Sequence, residues 1–480
     1  MSKLYDVILV GAGLSGIDAA YRIQTDCPDL SYTIIEAREA IGGTWDLFKY
    51  PGIRSDSDMY TLGFPFYPWK NPKAIADGPS ILKYIKETAA HFGIDQKIQF
   101  NKRVEKASWS DKDKLWTINI NTHGELIEYQ CKFLFMTSGY YNYEQGYAPS
   151  FPGSDLFEGP IIHPQQWDEN LIYTDKNIIV IGSGATAVTL VPELAKKAKK
   201  VTMLQRSPSY IMSLPSEDAF ANFLNKWLPA NFAYSLIKWK NVLLAMFLYQ
   251  YSQKRPESMK AFIMKGVHRG LKTDKLDGHF KPNYNPWNQR LCFVPDGDFF
   301  KALRGGKAEV VTDQIKEFTS QGIQTNSGKF IEADIIVSAT GLKLQLLGGM
   351  SITVNDKKID PSTLHSYKGV MFSDIPNFAF AVGYTNASWT LKSDLNCQFV
   401  TRLLNHMKKS QTSIVTPKFD IDKYGSEPLL DFEAGYVKRA LEHLPKQGSK
   451  KPWKVHQNYI KDTISLKLDK INNSNLEFKQ

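Results

Sequence analysis

Two segments of this chain repeat one pattern, in which a short apolar run leads into a glycine-rich turn and then a helical stretch. The runs are YDVILV and NIIVI, and each suits a buried parallel strand. The turn residues are Gly11, Gly13 and Gly16 in the first segment and Gly182, Gly184 and Ala187 in the second. Their spacing, G-x-G-x-x-G/A, permits a tight turn, close backbone approach to a pyrophosphate, and close packing of helix on strand. The helix N-terminus then stabilises the anion. The pattern predicts two dinucleotide-binding βαβ units.

The residue after the second strand of each unit predicts which dinucleotide it holds. Glu36 follows SYTII, twenty residues beyond Gly16, where an acid accepts hydrogen bonds from a ribose 2′-OH and repels a 2′-phosphate. In the second unit the strand ends in Gln205 and Arg206, and a guanidinium suits a 2′-phosphate. We therefore expect FAD in the first unit and NADPH in the second.

Two further apolar strands indicate where the chain passes between domains. Each ends in a small residue and a glycine, at Ser138-Gly139 and Thr340-Gly341. The expected fold class is α/β, with the NADPH domain inserted in the FAD domain. The expected segments are a first FAD-binding part at 1–150, a linker with the first NADPH-binding part at 151–215, a helical insert at 216–284, a second NADPH-binding part at 285–334 and a second FAD-binding part at 335–480.

Composition excludes several other classes of protein. With 480 residues the chain is long enough for two or three domains. Its four cysteines form no C-x-x-C pair and its nine histidines form no ligand cluster, so we expect no disulfide scaffold, no redox-active cysteine pair and no metal. The net charge of +10 fits dinucleotides and also membrane surfaces, but no Lys/Arg run with interleaved aromatics suggests nucleic acid. The first residues lack a signal-peptide layout, which favours the cytoplasm.

The segment 216–284 is rich in Phe, Trp, Tyr, Leu and Lys, and it predicts two or three helices broken near Pro229 and Pro256. Its longest apolar run, NVLLAMFLYQY, is too short to span a bilayer. Three roles are open for this insert: a wall of the substrate pocket, an oligomer contact, or a membrane-surface patch with basic and aromatic anchors. Further along, NFAFAVG predicts a strand, and KLDKINNSNLEFKQ predicts a solvated tail.

Several long motifs give the chain a family resemblance. The stretch before the second unit reads F-x-G-x-x-x-H-x-x-x-W-D, formed by Phe157, Gly159, His163, Trp167 and Asp168. It resembles the fingerprint of Baeyer–Villiger monooxygenases, which are class B flavoprotein monooxygenases. The motifs at 42–69, 285–303 and 383–395 are similar to the ethionamide-activating FAD monooxygenase subgroup.

The resemblance implies site residues. Those implied to contact FAD, besides the glycines of the first unit, are Ser15, Glu36, Gly43, Thr44, Trp45, Asp46, Asp56 and the backbone at Val104. Those implied to contact NADP, besides Gly182 and Ala187, are Ser183, Gly184, Ala185, Thr186, Arg206 and Ser207. The implied catalytic residues are Arg290 and Asp56.

The resemblance also implies a reaction. NADPH reduces FAD, O2 adds to give a C4a-peroxyflavin, and this attacks a ketone to yield an ester or lactone. Arg290, which cannot lose its proton, would keep the peroxide anionic, and Asp56 would orient the guanidinium. Alternatively, Arg290 and Asp56 form only a structural ion pair. His163 and Trp167 either anchor the connector in one domain arrangement or simply stabilise a loop.

Two other functions fit the same residues. A flavin-containing heteroatom monooxygenase would oxidise sulfides or amines, and one protein could do both reactions. A non-catalytic redox sensor would bind dinucleotides without consuming NADPH and O2 in response to substrate. The expected partners are a ketone or sulfide and O2, while peripheral membrane contact and homo-oligomerisation are open.

Overall fold

Each glycine-rich turn follows the carboxyl end of an interior strand of its own sheet. The computed structural model describes residues 3–273, 277–289, 291–429 and 435–480. Arg290, one of the two predicted catalytic residues, lies outside the described residues.

The first sheet has nine strands and carries the first glycine-rich turn. In spatial order its main path is Lys357–Lys358, Ser351–Val354, Arg103–Ser110, Leu115–Thr122, Glu125–Met136, Lys3–Val10, Tyr32–Ile35 and Ile98–Gln99. Phe378–Phe380, the strand predicted from NFAFAVG, pairs in parallel with Glu125–Met136. The longer helices packed on this part are Leu14–Asp26, Gly78–His91 and Trp389–Ser410, with short ones at Thr44–Leu47 and Met59–Leu62.

The second sheet is parallel throughout and carries the second turn. Its order is Ala308–Thr312, Lys200–Gln205, Asn177–Ile181, Ile335–Ser338 and Ile161–Ile162. The helices Ala185–Leu194 and Asp298–Arg304 pack beside it. The boundary predicted at 335 differs here, because Ile335–Ser338 is fully buried and hydrogen-bonds to Asn177–Ile181. The chain therefore leaves the second sheet after this strand.

The helical insert contains the helices Ala219–Trp227, Ala230–Lys254 and Pro256–Leu271, which break where Pro229 and Pro256 predict. Buried side chains of the middle helix, such as Ala233 and Ile237, join the core of the first unit. Those of the third helix, such as Met259 and Ile263, join the core of the second unit. The insert therefore bridges both cores. No described helix is both long and apolar enough to cross a membrane.

The C-terminal segment differs from the predicted solvated tail. Leu476–Lys479 pairs antiparallel with Ile414–Pro417, and the side chains of Ile471 and Leu476 are buried. Its apolar residues are spaced among lysines and asparagines, and the partner strand lies about sixty residues earlier, so local composition alone did not indicate the pairing.

The other strands form small sheets around these parts. They are Ile211–Leu214 with Cys292–Pro295, Ile315–Thr319 with Gly322–Thr325 and Phe330–Glu332, Ser366–Tyr367 with Met371–Phe372, and Glu427–Pro428 with Lys446–Gln447. The short α-helices Ile421–Tyr424, Gly435–Lys438 and Tyr459–Thr463 complete the described helical segments of this type.

Candidate active site

Both glycine-rich turns line one cavity between the two sheets. Its volume is about 730 Å³. Of the residues predicted to bind cofactor, this cavity is lined by Gly11, Gly13, Ser15, Glu36, Gly43, Thr44, Trp45, Asp56, Val104, Gly184, Ala185 and Thr186. The structure thus brings together most of the predicted cofactor residues from both units.

The first glycine-rich turn leaves backbone N–H groups open to an anion and packs tightly against its own backbone at Gly16. The helix Leu14–Asp26 begins at Gly13 without a side-chain cap, whereas Asp77 and Asp218 cap the helices that follow them. Its first N–H groups therefore remain available to a phosphate. A Cβ at Gly16 would overlap the carbonyl oxygen of Gly11. These residues fit the pyrophosphate of a dinucleotide.

Glu36 lies in the cavity wall beside the first turn. Its carboxylate accepts hydrogen bonds from the backbone N–H groups of Ala12 at 2.7 Å and Arg38 at 2.9 Å. Burial raises the pKa of Glu36, and these two hydrogen bonds partly offset that effect. The carboxylate therefore ties the turn to the end of the second strand, at the position where a ribose hydroxyl is expected.

The loop after this strand closes the first site. A Cβ at Gly13 would lie 3.6 Å from the Cα of Gly43, so the two backbones face each other closely. The hydroxyls of Thr44 and Tyr141 are 2.7 Å apart. Asp46 is buried and forms an ion pair with Arg38 at 2.7 Å, so it holds the loop rather than lining the cavity.

The second turn is more open. The helix Ala185–Leu194 also begins without a side-chain cap, and a Cβ at Gly184 would meet no described atom within 4 Å. The hydroxyl of Ser209 donates a hydrogen bond to that of Ser183 at 3.0 Å. Ala187 is fully buried in the helix. Gly182 follows the strand and has a left-handed backbone with φ +132°.

Arg206 and Ser207 are exposed at the end of the strand Lys200–Gln205. They are not among the residues that line the 730 Å³ cavity in the described structure. Gln205 is buried, and its amide bonds the carbonyl of His279 and the hydroxyl of Thr312. Of the two polar residues at this strand end, Arg206 is therefore the one open to a ligand.

A second cavity, of about 540 Å³, adjoins the first. Its wall is mostly apolar and includes much of the helix Ala230–Lys254. Six residues line both cavities, namely Asp56, Ser57, Phe293, Tyr384, Thr385 and Ala387. A small molecule in this second cavity would lie directly beside a cofactor in the first.

Asp56 lines this shared wall. Trp287 and Leu291, from the motif that contains Arg290, line the second cavity. The neighbouring Asp58 is half-buried, accepts a hydrogen bond from the side-chain amide of Asn241 at 2.8 Å, and caps the helix Met59–Leu62. Burial raises the pKa of Asp58. The loop that carries Asp56 is thereby attached to the helical insert.

Two residues that line the second cavity each have a buried polar atom without a partner among the described residues. The indole N–H of Trp287 and the amide oxygen of Asn386 each lack a hydrogen-bond partner within the described structure. Trp287 also has φ +72°, a left-handed conformation that costs energy for a bulky residue. Unpaired buried donors and acceptors are rare, so these atoms are candidates to contact a ligand. Sequence reasoning missed both residues, although they lie in two of the motifs that carry the family resemblance.

The connector before the second unit holds the two chain crossings together. The Nδ1 atom of His163 accepts the N–H of Gln165 at 3.2 Å, so its Nε2 atom carries the proton and donates to the carbonyl of Gly341 at 3.1 Å. The same ring packs against Gly146 in the other crossing. Burial lowers the pKa of His163 and favours this neutral form.

Other connector residues serve as packing groups. Phe157 is buried in the smaller core under the second sheet, and Trp167 is buried in the main core of the second unit. A Cβ at Gly159 would overlap the carbonyl oxygen of Asp334. The fingerprint residues therefore fasten the connector to the second unit, which fits both interpretations of His163 and Trp167.

Two contacts across the site were not expected from the sequence. Arg54 pairs with Asp298 at 2.5 Å and so links the two units beside the cavities. The indole N–H of Trp389 donates to the hydroxyl of Ser15 at 2.8 Å. Each pair joins residues hundreds of positions apart, so spacing along the chain gives no signal for it.

Comparison with known proteins agrees with this architecture. The Flavin-binding monooxygenase-like family matches residues 5–408. The FAD-containing monooxygenase EthA of Mycobacterium tuberculosis is 53% identical over 483 residues, covering 100% of this chain and 98% of that protein.

Two solved structures share the fold. An oxidized steroid monooxygenase bound to NADP matches with a TM-score of 0.80 at 19% identity and covers 100% of both chains. A closed cyclohexanone monooxygenase matches with a TM-score of 0.70 at 20% identity and covers 87% of both chains. The predicted α/β fold class and the predicted family resemblance are confirmed, and the chain belongs to the flavin-binding monooxygenase-like family.

Proposed function

We propose that this chain is an FAD-containing, NADPH-dependent monooxygenase of the Baeyer–Villiger type, which inserts one oxygen atom of O2 into ketones to give esters or lactones. The observation that carries the proposal is the wall shared by the two cavities. A cavity lined by two dinucleotide turns meets an apolar cavity at Asp56 and Tyr384. A relative named as FAD-containing and a fold shared with a cyclohexanone monooxygenase support the same conclusion.

The first unit would hold FAD, through the uncapped helix Leu14–Asp26 and Glu36. The second would hold NADPH, through the helix Ala185–Leu194 and Arg206. When bound and reduced by NADPH, FAD supplies the activation of O2 and the transfer of one oxygen atom. We propose the division into domains expected from the sequence, except that the strand Ile335–Ser338 is assigned to the NADPH domain because it pairs with Asn177–Ile181.

Arg290 and Asp56 would control charge at the reacting atoms. A guanidinium stays protonated throughout, so it stabilises negative charge that develops on oxygen. Asp56 would orient it from the shared wall. We expect Arg290→Ala to lower product formation more than 100-fold while FAD content stays unchanged. Near wild-type conversion of ketone by this variant would contradict the role of Arg290.

Trp287 would bind the substrate carbonyl. Trp287 lines the second cavity, and its indole N–H, which is buried without a partner in the described structure, would turn toward a ketone oxygen bound there. Loss of one such donor costs on the order of 1–2 kcal/mol, so Trp287→Phe should reduce kcat/KM for ketones roughly tenfold.

The apolar lining of the second cavity also favours sulfide oxygenation as a second activity. A sulfide has no carbonyl oxygen to accept a hydrogen bond from Trp287, so Trp287→Phe should leave sulfide turnover nearly unchanged. Equal losses with both substrates would contradict the assigned contact and would indicate general damage to the cavity.

One assay tests the function directly. Flavin-saturated protein is given NADPH, air and a panel of linear, cyclic and aryl ketones and aryl sulfides, and the products are identified by mass spectrometry. We expect ester or lactone in proportion to NADPH consumed. Stable flavin binding without substrate-dependent NADPH and O2 consumption would instead support a redox sensor.

Location is part of the proposal. All four cysteines are buried thiols, which suits a reducing compartment such as the cytoplasm. Peripheral contact with a membrane is supported over an oligomer contact by the charge of the helical insert, which contains eight Lys or Arg residues and one Glu between residues 219 and 271.

A further inference from the structure

The helical insert exposes a continuous set of large apolar side chains, here called the apolar face. Its members are between 37% and 67% exposed. They are Phe220, Phe223, Trp227, Phe232, Leu236, Trp239, Leu243, Phe247 and Tyr251.

The spacing of these residues places the exposed side chains of the long insert helix on one of its sides. In Ala230–Lys254 the exposed members recur every three or four residues, from Phe232 to Tyr251, and so lie on one side. Apolar residues also occur on other sides of this helix, since Ala233, Ile237 and Val242 are buried in the first core. A helix that is apolar on several sides is normally buried on those sides. Exposed apolar surface of this extent marks a contact with another phase or molecule.

Positive charge accompanies the apolar face. Residues 219–271 include eight basic residues and one acidic residue, while the whole chain has a net charge of +10. Lys254 is exposed and continues the side of Tyr251 by one turn, and Lys265 and Arg269 are exposed on the same side of their helix as Phe262. A second copy of this surface would bring like charges together. An anionic lipid surface would complement them.

The apolar face is continuous with the second cavity. Phe220, a member of the face, is 48% exposed and also lines that cavity, as does Leu244, which follows Leu243 of the face and is 51% exposed. An apolar molecule in the acyl region of a bilayer could therefore reach the cavity along side chains of the insert without crossing water.

We infer that the apolar face docks on anionic membrane surfaces and that the second cavity takes apolar substrates directly from the lipid phase. This inference rests on the proposed function for the identity of the reaction, but the docking itself does not. The insert lies in the interface plane, with Trp and Tyr at headgroup level and the lysines on the anionic headgroups.

Docking is tested with the flavin-loaded full-length protein and vesicles, in the absence of substrate. Vesicles of phosphatidylcholine containing 30% phosphatidylglycerol should bind the protein in a flotation assay, more weakly as salt is raised. The triple variant Trp227→Glu, Leu243→Glu and Phe247→Glu, which avoids residues of the cavity, should lose binding at least tenfold. A matched control carries Leu126→Glu, Ile172→Glu and Leu468→Glu, whose side chains are 65%, 79% and 72% exposed outside the insert. It should bind like wild type.

A second set of variants tests the charge and avoids apolar substitutions. Lys254→Gln and Lys265→Gln should each weaken binding to anionic vesicles about fivefold, with unchanged thermal unfolding. Failure of wild-type protein to bind these vesicles, or equal binding by both triple variants, overturns the inference. So does a dimer, measured by sedimentation, that the insert variant alone dissociates, because a second copy would then cover the apolar face.

Delivery from lipid is tested by comparing two ketones. With vesicles present, the insert variant should lose kcat/KM several-fold for a long-chain ketone that partitions into lipid, and should retain it for a short water-soluble ketone. Loss of both, or of neither, contradicts delivery from the bilayer. If no ketone is oxidised in the absence of vesicles, the proposed function fails while the docking result still stands.

Discussion

The two glycine-rich sites share a pattern but differ in how tightly they are enclosed. At the first, Gly16 contacts the Gly11 carbonyl, Gly43 faces Gly13, and the Glu36 carboxylate ties the turn to the next strand. At the second, the space beside Gly184 is open and Arg206 is exposed. An enclosed site suits a resident cofactor, and an open one suits a cofactor that must enter and leave in each cycle. The same fingerprint can thus serve two modes of binding.

The largest effect is expected at the third fingerprint position, which is Gly16 in the first unit and Ala187 in the second. A methyl group at Gly16 would overlap the Gly11 carbonyl, so Gly16→Ala should destabilise the fold by about 3 kcal/mol or more and release flavin. The reverse change, Ala187→Gly, should cost only about 1 kcal/mol, from helix propensity. Urea unfolding and the flavin absorbance measure both. Full flavin content in Gly16→Ala would remove the contrast between the sites.

The next effect concerns coenzyme choice at the open site. Arg206→Gln removes a charge-assisted contact to a 2′-phosphate worth ~2 kcal/mol, so KM for NADPH should rise roughly thirtyfold. KM for NADH should hardly change, because NADH has no 2′-phosphate. Steady-state kinetics with both coenzymes measure the difference. An equal rise for both would mean that Arg206 shapes the site rather than reading the phosphate.

A smaller effect is expected from the ion pair that links the two sites. Arg54 and Asp298 are partly buried, so a double-mutant cycle of Arg54→Gln and Asp298→Asn should give a coupling of about 1 kcal/mol in the free energy of unfolding. Lys408 and Asp29 form an exposed pair within the first unit and serve as the control, for which we expect no measurable coupling. Equal coupling energies in the two cycles would show that the pair between the units stabilises the protein no more than an exposed ion pair does.

The smallest effect is the pH dependence of the connector between the sites. Burial lowers the pKa of His163 below its ordinary value, so the unfolded chain binds a proton more readily than the folded chain. The stability from neutral His163 is complete above about pH 6.5 and declines as pH falls toward the lowered pKa. His163→Gln should lack this part of the decline. Urea unfolding between pH 8 and pH 5 measures it, and parallel curves for the two proteins would contradict it.

The sequence predicted those features of the fold that depend on residues within a short window. The two turns, the helix breaks at Pro229 and Pro256 and the strand Phe378–Phe380 follow from apolar runs, glycines and prolines within short windows. The pairing of the C-terminal strand could not be predicted in this way. Its register is set by the distant Ile414–Pro417, so it depends on tertiary structure.

The residues of the candidate site also fall into two groups, those predicted from motifs and those recognised only in the folded structure. Motif resemblance predicted that Glu36, Asp46 and Asp56 contact FAD. Glu36 and Asp56 line the first cavity, whereas Asp46 does not line it and forms an ion pair with Arg38. The polar atoms of Trp287 and Asn386 are notable only because they are buried without partners, which depends on the completed fold. Arg290 lies outside the described residues, so its role rests on the motif and on the proposed kinetics.

The hydrogen bond between Asn241 and Asp58 connects the long insert helix to the loop that carries Asp56. That helix bears Trp239 and Phe247 on its outer side and holds the loop of Asp56 through Asn241 on its inner side. If contact with another surface tilted this helix, the hydrogen bond from Asn241 to Asp58 would shift the loop that carries Asp56 at the wall between the cavities. The turnover rate would then depend on what the outer side of the helix contacts as well as on the ligands in the two cavities.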